Sequence, residues 1–370
     1  MSGPEPSELL DATLVGQLKR EYLLPFNRPP RVNQLGGNLA YTASSLALWG
    51  GRAGLVARVN ADYPLEWLGR LAGMGFDTSG VSTAESAFDD RFFVAYSDPL
   101  TAHFENPPTY FSERGLEFPR ELLGYEPNTR RGCSKLDYLA DSFRVTDMPR
   151  PFLEVSAAHI CPMDFISHKI LPSVIKAGMI QSLSMRSASC YMDPLFWEDM
   201  RGLLCDLTTF MTTETQALKL FQGRSVDLWE IAQILSGYGP EFVIIHRQDG
   251  SAWLYDRVRK KRWIIPAYPA RLVDPTHMLD AFDGGFLLNY RKDYDPLEGA
   301  QISPIRRYPG PPQSRTTCSL IGENRRSGPA RSTDGPGIDR SARCRKSRTA
   351  TPVPAGSAIA AGSSQRDFAN

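Results

Sequence analysis

Short apolar runs alternate with stretches of helical period along most of the first 300 residues, and this alternation narrows the fold more than any other feature. TLVGQL (13–18) is an apolar run ending in a turn. In NLAYTASSLALWGG, Leu39, Ala43, Leu46 and Ala47 share one helical face, and Gly50-Gly51 give a stop. AGLVARV (53–59) reads as a strand, PLEWLGRLAGMG (64–75) as an amphipathic helix and RFFVAYS (91–97) as a strand. The alternation resumes with AAHICP (157–162) as a strand and HKILPSVIKAG (168–178) as a helix interrupted by Pro172. MIQSLSM (179–185) is strand-like and PLFWEDMRGLLCDL (194–207) helical. LTTFMTT (207–213) is a strand running into the helix ETQALKLF, and DLWEIAQILSGYG (227–239) is helical. EFVIIHR (241–247) is a buried strand, SAWLYDR and KRWIIPAY form a hairpin around VRKK, and LDAFDGGFLLNYR (279–291) is a helix. Repeated strand–helix pairs predict an α/β protein with a mainly parallel sheet covered on both faces. Residues 105–150, rich in Pro, Arg and Gly, lack such periodicity and read as an insertion or long loop.

The 370 residues contain 42% hydrophobic and 22% charged side chains, enough for a sizeable core. The net charge of +1 hides an asymmetry. Residues 301–370 hold 12 Lys and Arg against 4 Asp and Glu, which leaves 30 basic and 37 acidic side chains in 1–300. A mildly acidic body argues against nucleic acid as a partner. Arg, Ser, Pro and Gly make up 36 of the 70 tail residues, a composition that predicts disorder. Its cluster RSARCRKSR (340–348) is read as compositional noise, with nucleic-acid binding or localisation as the competing reading. Eleven Arg against one Lys also suit out-of-frame translation of GC-rich coding sequence. No apolar run approaches the roughly 20 residues of a membrane span, and the start lacks a secretory pattern. Six scattered cysteines without a CxxC pair read as reduced thiols of a cytoplasmic protein.

Two clusters, GGNLAYTASSLALWGGRAGLVARVNAD (36–62) and DPTHMLDAFDGGF (274–286), resemble the ribokinase-like, PfkB-type carbohydrate kinases. The resemblance covers about residues 12–300. It implies a three-layer α/β/α sandwich around about nine strands, with a small β lid over the acceptor. It also implies ATP-dependent phosphoryl transfer to a sugar or nucleoside hydroxyl, with Mg²⁺.

In that chemistry a carboxylate accepts the proton of the attacking hydroxyl, and backbone N–H groups at a helix N-terminus stabilise the transferring phosphoryl group. The resemblance makes Asp280 the base. Thr276, His277, Met278 and Leu279 occupy the turn that usually reads Thr-Gly-Ala-Gly. Two glycines have become side chains with Cβ atoms, which predicts crowding of the phosphate space and impaired turnover. At its ordinary pKa near 6.5, His277 is mostly neutral and reads as a loop histidine. Glu21, five residues after Gly16, stands where the family's Asp grips acceptor hydroxyls. Gly36 and Gly37 match a glycine pair that admits substrate, and Asn38 reads either as a hydroxyl ligand or as a helix N-cap.

At the nucleotide end, the family's N-x-x-E aligns with Thr213 to Gln216, so Gln216 replaces the acid that organises Mg²⁺ through water. Glu214 is the neighbouring carboxylate that can compensate, or simply a first-turn charge. In HRQDG the resemblance sets Arg247 where the family has a strand-end glycine near the nucleotide, as a phosphate contact or a solvated surface charge, with Gly250 on the same nucleotide side. The family segment after the GGF helix completes the adenine pocket, and here it is replaced by the Arg/Ser/Pro/Gly stretch. The competing reading is an inactive, kinase-like binder or a frameshifted product. No GxGxxG after a strand, Walker A, HExxH or GxSxG motif offers a different enzyme class.

Overall fold

The computed structural model describes residues 10–127, 133–267 and 274–302. The tail beyond 302, the 340–348 cluster, Cys318 and Cys344 lie outside the described residues.

In chain order the first strands are β1 (Ala12–Val15), β2 (Lys19–Leu24) and β3 (Arg31–Gly36), followed by α1 (Asn38–Leu48). Then come β4 (Ala53–Val59), α2 (Leu65–Gly73), β5 (Asp77–Thr83), β6 (Arg91–Tyr96), β7 (Ala102–His103) and α3 (Pro107–Glu113). The middle of the chain gives β8 (Ala157–Ile160), α4 (Phe165–Lys176), β9 (Ser182–Arg186), α5 (Met200–Leu204), β10 (Thr209–Thr213) and α6 (Glu214–Leu220). The last described elements are α7 (Leu228–Gly237), β11 (Phe242–His246), β12 (Ala252–Asp256), β13 (Lys261–Ile265), α8 (Met278–Asp293) and α9 (Pro296–Ile302).

Nine strands form one sheet in the order β13-β12-β11-β10-β9-β8-β1-β4-β5. All neighbours are parallel except β11–β12 and β12–β13, the hairpin that the VRKK turn closes. The central strands are buried from end to end, as strands covered on both faces must be. One face carries α4 to α7, with Phe165, Leu203, Phe221 and Ile231 in its core. The other carries α1, α2, α8 and α9, with Leu39, Leu71 and Leu287 in one core and Phe282 and Phe286 in the next. The fold is therefore the α/β/α sandwich that the alternation and the resemblance imply.

A second sheet, in the order β3-β2-β6-β7, stands apart as the lid. Its two central strands, β2 and β6, are parallel. The 105–150 segment contributes α3 and several short 3₁₀ turns. Phe111 and Leu122 from this segment join Tyr22, Leu24 and Phe93 in a core behind the lid. The stretch that lacked periodicity thus supplies the lid's outer cover.

Three local expectations need correction. First, α4 is not interrupted at Pro172. It begins earlier, capped by Asp164, and Pro172 lies inside it, where burial of Leu171 and Ile175 holds the helix despite the lost N–H. Second, residues 194–207 are not one helix: Pro194–Asp199 is a 3₁₀ turn that leads into α5. Third, Cys133 and Cys190 are not free thiols. The segment before β8 folds back onto the loop after β9 and brings their Cα atoms to 5.2 Å, in a disulfide. Among the described residues Cys161, buried, and Cys205, exposed, are free.

Candidate active site

The site is built on α8. Gly284 lets this helix cross α1 closely, because a Cβ there would run into the Thr42 carbonyl. Thr42 in turn donates its hydroxyl to the Asp280 carbonyl at 3.1 Å. These contacts fix the first turn of α8, and with it Asp280, in front of the lid. Asp280 is 7% exposed.

His277 is the N-cap of α8, in the left-handed region at φ 56°. Its Nδ1 lies 2.7 Å from Asp280 Oδ2. Its Nε2 lies 2.9 Å from Glu21 Oε1, as a charge contact and not an aligned hydrogen bond. The ring stacks on Tyr41 at 4.5 Å and leans on Phe92 at 5.4 Å. Burial works against a charged ring, but Glu21 and Asp280 together outweigh it and hold the pKa up to about 10. The expectation of a mostly neutral loop histidine is therefore corrected: His277 is an imidazolium between two carboxylates.

Glu21, on β2, is 1% exposed. Besides His277, its carboxylate accepts the Gly37 N–H at 2.7 Å and the Tyr41 hydroxyl at 2.9 Å. Gly36 and Gly37 give room to this carboxylate: a Cβ on Gly36 would overlap it, and Gly37 needs φ 89° to aim its N–H at it. Gly37, and not Asn38, is the N-cap of α1. The Asn38 side chain instead ties two loops together, accepting the Gln17 N–H at 2.8 Å and donating to the Pro162 carbonyl at 2.7 Å.

The rest of the turn also meets the lid. Thr276 Oγ1 is 3.0 Å from the Tyr96 hydroxyl of β6, and Asp274 pairs with Arg31 of β3. Met278 is 49% exposed and points away from the buried cluster. Leu279 is half-buried, and its carbonyl accepts from Arg186 at 3.3 Å.

The positions expected at the nucleotide end cluster at the ends of β10 and β11. Thr213 and Gln216 form the capping box of α6. Gln216 also accepts from Ser187 and donates to Ser189, each at 2.9 Å. Glu214 receives Arg247 at 3.3 Å, and Arg247 lies over the Trp253 ring at 5.0 Å. Gly250 takes φ 81° in the turn between β11 and β12. Glu214 is thus already paired, and Gln216 contributes an amide where a hard cation prefers charged oxygen. Among the described residues no cluster of three or more His, Cys, Asp or Glu is arranged for a metal ion. The side chains present do not fit Mg²⁺ as direct ligands.

Beneath Asp280 lies a charged network with no counterpart in the sequence reading. Asp283 is fully buried and pairs with Arg186 of β9 through both carboxylate oxygens. His159 Nε2 lies 3.4 Å from Asp283, and His246 Nε2 lies 3.3 Å from Arg186. Burial favours the neutral acid, but Arg186 and His159 outweigh it and depress the Asp283 pKa. Burial and Arg186 push His246 down to about 3, so it is neutral. The signal was present as single polar residues in apolar strands, in AAHI and FVIIH, and as an Asp beside the glycines of α8.

No family model matches the chain. It is 25% identical over 297 residues to a cytidine kinase from Thermococcus kodakarensis, across 78% of this chain and 91% of that relative. Among solved structures it is similar to an E. coli protein assigned as ribokinase II, in complex with ATP and Mg²⁺. That match has a TM-score of 0.58 and 18% identity, and covers 82% of this chain and 94% of the other. A PfkB protein from Polaromonas sp. JS666 matches with a TM-score of 0.55 and 13% identity, over 80% and 93% of the two chains. Among the described residues no helix is long and apolar enough to cross a membrane.

Proposed function

We propose that the chain is a ribokinase-like, PfkB-type kinase that transfers phosphoryl from ATP to a sugar or nucleoside hydroxyl, with impaired turnover. The observation that carries this reading is Asp280. It stands in the first turn of α8, facing the lid carboxylate Glu21, with its Oδ1 buried and free of any hydrogen-bond partner. A carboxylate oxygen so placed is suited to accept a hydroxyl proton. Glu21 then orients the acceptor, and the N-terminal turn of α8 faces the donor phosphates. The 25% identity to a cytidine kinase supports counting nucleosides beside sugars as acceptors. Arg247 and the Gly250 turn are assigned to the nucleotide side.

Impairment follows from His277, which ties up one oxygen of each carboxylate. The same contact favours a second reading, a kinase-like binder without catalysis. ATP turnover by the full chain with cytidine, ribose and fructose separates them. The kinase reading expects slow turnover that Asp280→Asn lowers by about 10²–10⁴-fold, the usual worth of a general base. Turnover indifferent to Asp280→Asn, or none under any condition, rejects it.

A further inference from the structure

Three links join the lid to the turn before α8, one from each of three lid strands. Arg31 of β3 pairs with Asp274, Tyr96 of β6 meets Thr276, and Glu21 of β2 meets His277. The last link sets a largely buried ring against a buried carboxylate, with side-chain exposures of 15% for His277 and 1% for Glu21.

His277 does more than latch. Its two ring nitrogens lie 2.9 Å from a carboxylate on the lid and 2.7 Å from one on the sandwich. Two neighbouring hydroxyls of an acceptor would make the same span, donating to Glu21 on one side and Asp280 on the other. The aromatic wall of Tyr41 and Phe92 holds the ring in that place. The backbone at His277 is left-handed, a conformation that costs a β-carbon-bearing residue free energy and survives only where the surroundings compel it.

We propose that His277 is a built-in occupant of the acceptor subsite, an autoinhibitory side chain that holds the lid shut over Asp280. This deepens the functional reading above and rests on it for the roles of Glu21 and Asp280. The closure itself rests on the contacts alone. With the ring gone, two carboxylates face one another across a gap walled by Tyr41 and Phe92. Such a gap takes a small planar cation, or a pair of adjacent hydroxyls.

The test uses the full chain with His277→Gly, since glycine adopts φ 56° freely, and with His277→Asn, which also tolerates that region. Imidazole is the probe, titrated calorimetrically at neutral pH, with a cooperative thermal transition required of each variant. Imidazole is expected to bind His277→Gly and not the native chain. Adding Glu21→Gln to His277→Gly is expected to weaken that binding roughly ten-fold or more, the worth of one charge-assisted hydrogen bond. Cytidine or ribose is likewise expected to bind the variants at least about ten-fold tighter than the native chain, for the same reason. Folded variants that ignore imidazole, or a native chain that binds cytidine or ribose as tightly as His277→Gly does, overturn the proposal. Imidazole binding to His277→Gly without any ATP turnover supports the closure and rejects the kinase reading, so the two fail separately.

Discussion

The proposed acceptor end and the proposed nucleotide end of the site depart in opposite ways from the pattern of the kinases they resemble. At the acceptor end a new charged side chain, His277, fills the space between Glu21 and Asp280, and every member is largely buried. At the proposed nucleotide end the polar side chains partner one another. Thr213 and Gln216 have become a helix cap, and Glu214 and Arg247 have paired with one another in half-exposed positions. The difference teaches that replaced motif positions can occupy a gap in one place and serve local structure in another. The first leaves a strongly coupled cluster, and the second leaves ordinary surface contacts.

The largest effect is expected beneath the acceptor end. Replacing Arg186 by Met strands Asp283 as a buried charge, which costs about 3–5 kcal/mol. Urea denaturation measures this, and a loss under 1 kcal/mol would break the contrast by showing that the network beneath α8 is no tighter than surface.

The next effect is a pH dependence with two limbs. The folded-state pKa of His277 is raised to about 10 from an ordinary 6.5. Its contribution to stability is therefore complete below about pH 6.5 and is lost as pH rises toward 10. His246, depressed to about 3, and His168, depressed to about 4, act in the other sense. Their neutral forms are buried, so stability falls as pH drops below about 6.5. Glu21 and Asp280 are the charged groups facing the His277 ring. Melting curves across pH are expected to lose the alkaline limb in His277→Gly and to keep the acid limb. An unchanged alkaline limb would place its origin elsewhere.

Smaller effects belong to the nucleotide end. Thr213→Ala removes an N-cap and is expected to cost about 1 kcal/mol by denaturant titration. Arg247→Gln breaks a half-exposed pair and is expected to cost at most about 1 kcal/mol, less in high salt. A larger loss at either position than at Arg186 would invert the comparison.

Much of the sandwich was legible because its strands are buried on both faces and its helices keep an apolar stripe, as in AGLVARV and DLWEIAQILSG. The lid was not. β2 reads KREYLL and β3 reads RVNQLG, and both carry the polar residues that face the site or solvent, so neither keeps an apolar run or a clean alternation. Asp280 was singled out by the length of its motif, and the structure sets it in the first turn of α8. The role of His277 was not, because its partner Glu21 lies near the other end of the chain and only the folded lid brings the two together. The Cys133–Cys190 pair was hidden for the same reason, with 57 residues between its members.

The most direct measurement is the nitrogen NMR titration of the His277 ring in the full-length native chain, assigned by its loss in His277→Asn. The clamp predicts both ring nitrogens protonated at pH 8, with deprotonation only near pH 10. A neutral ring at pH 8, titrating near the ordinary value of about 6.5, would show that no imidazolium bridges Glu21 and Asp280.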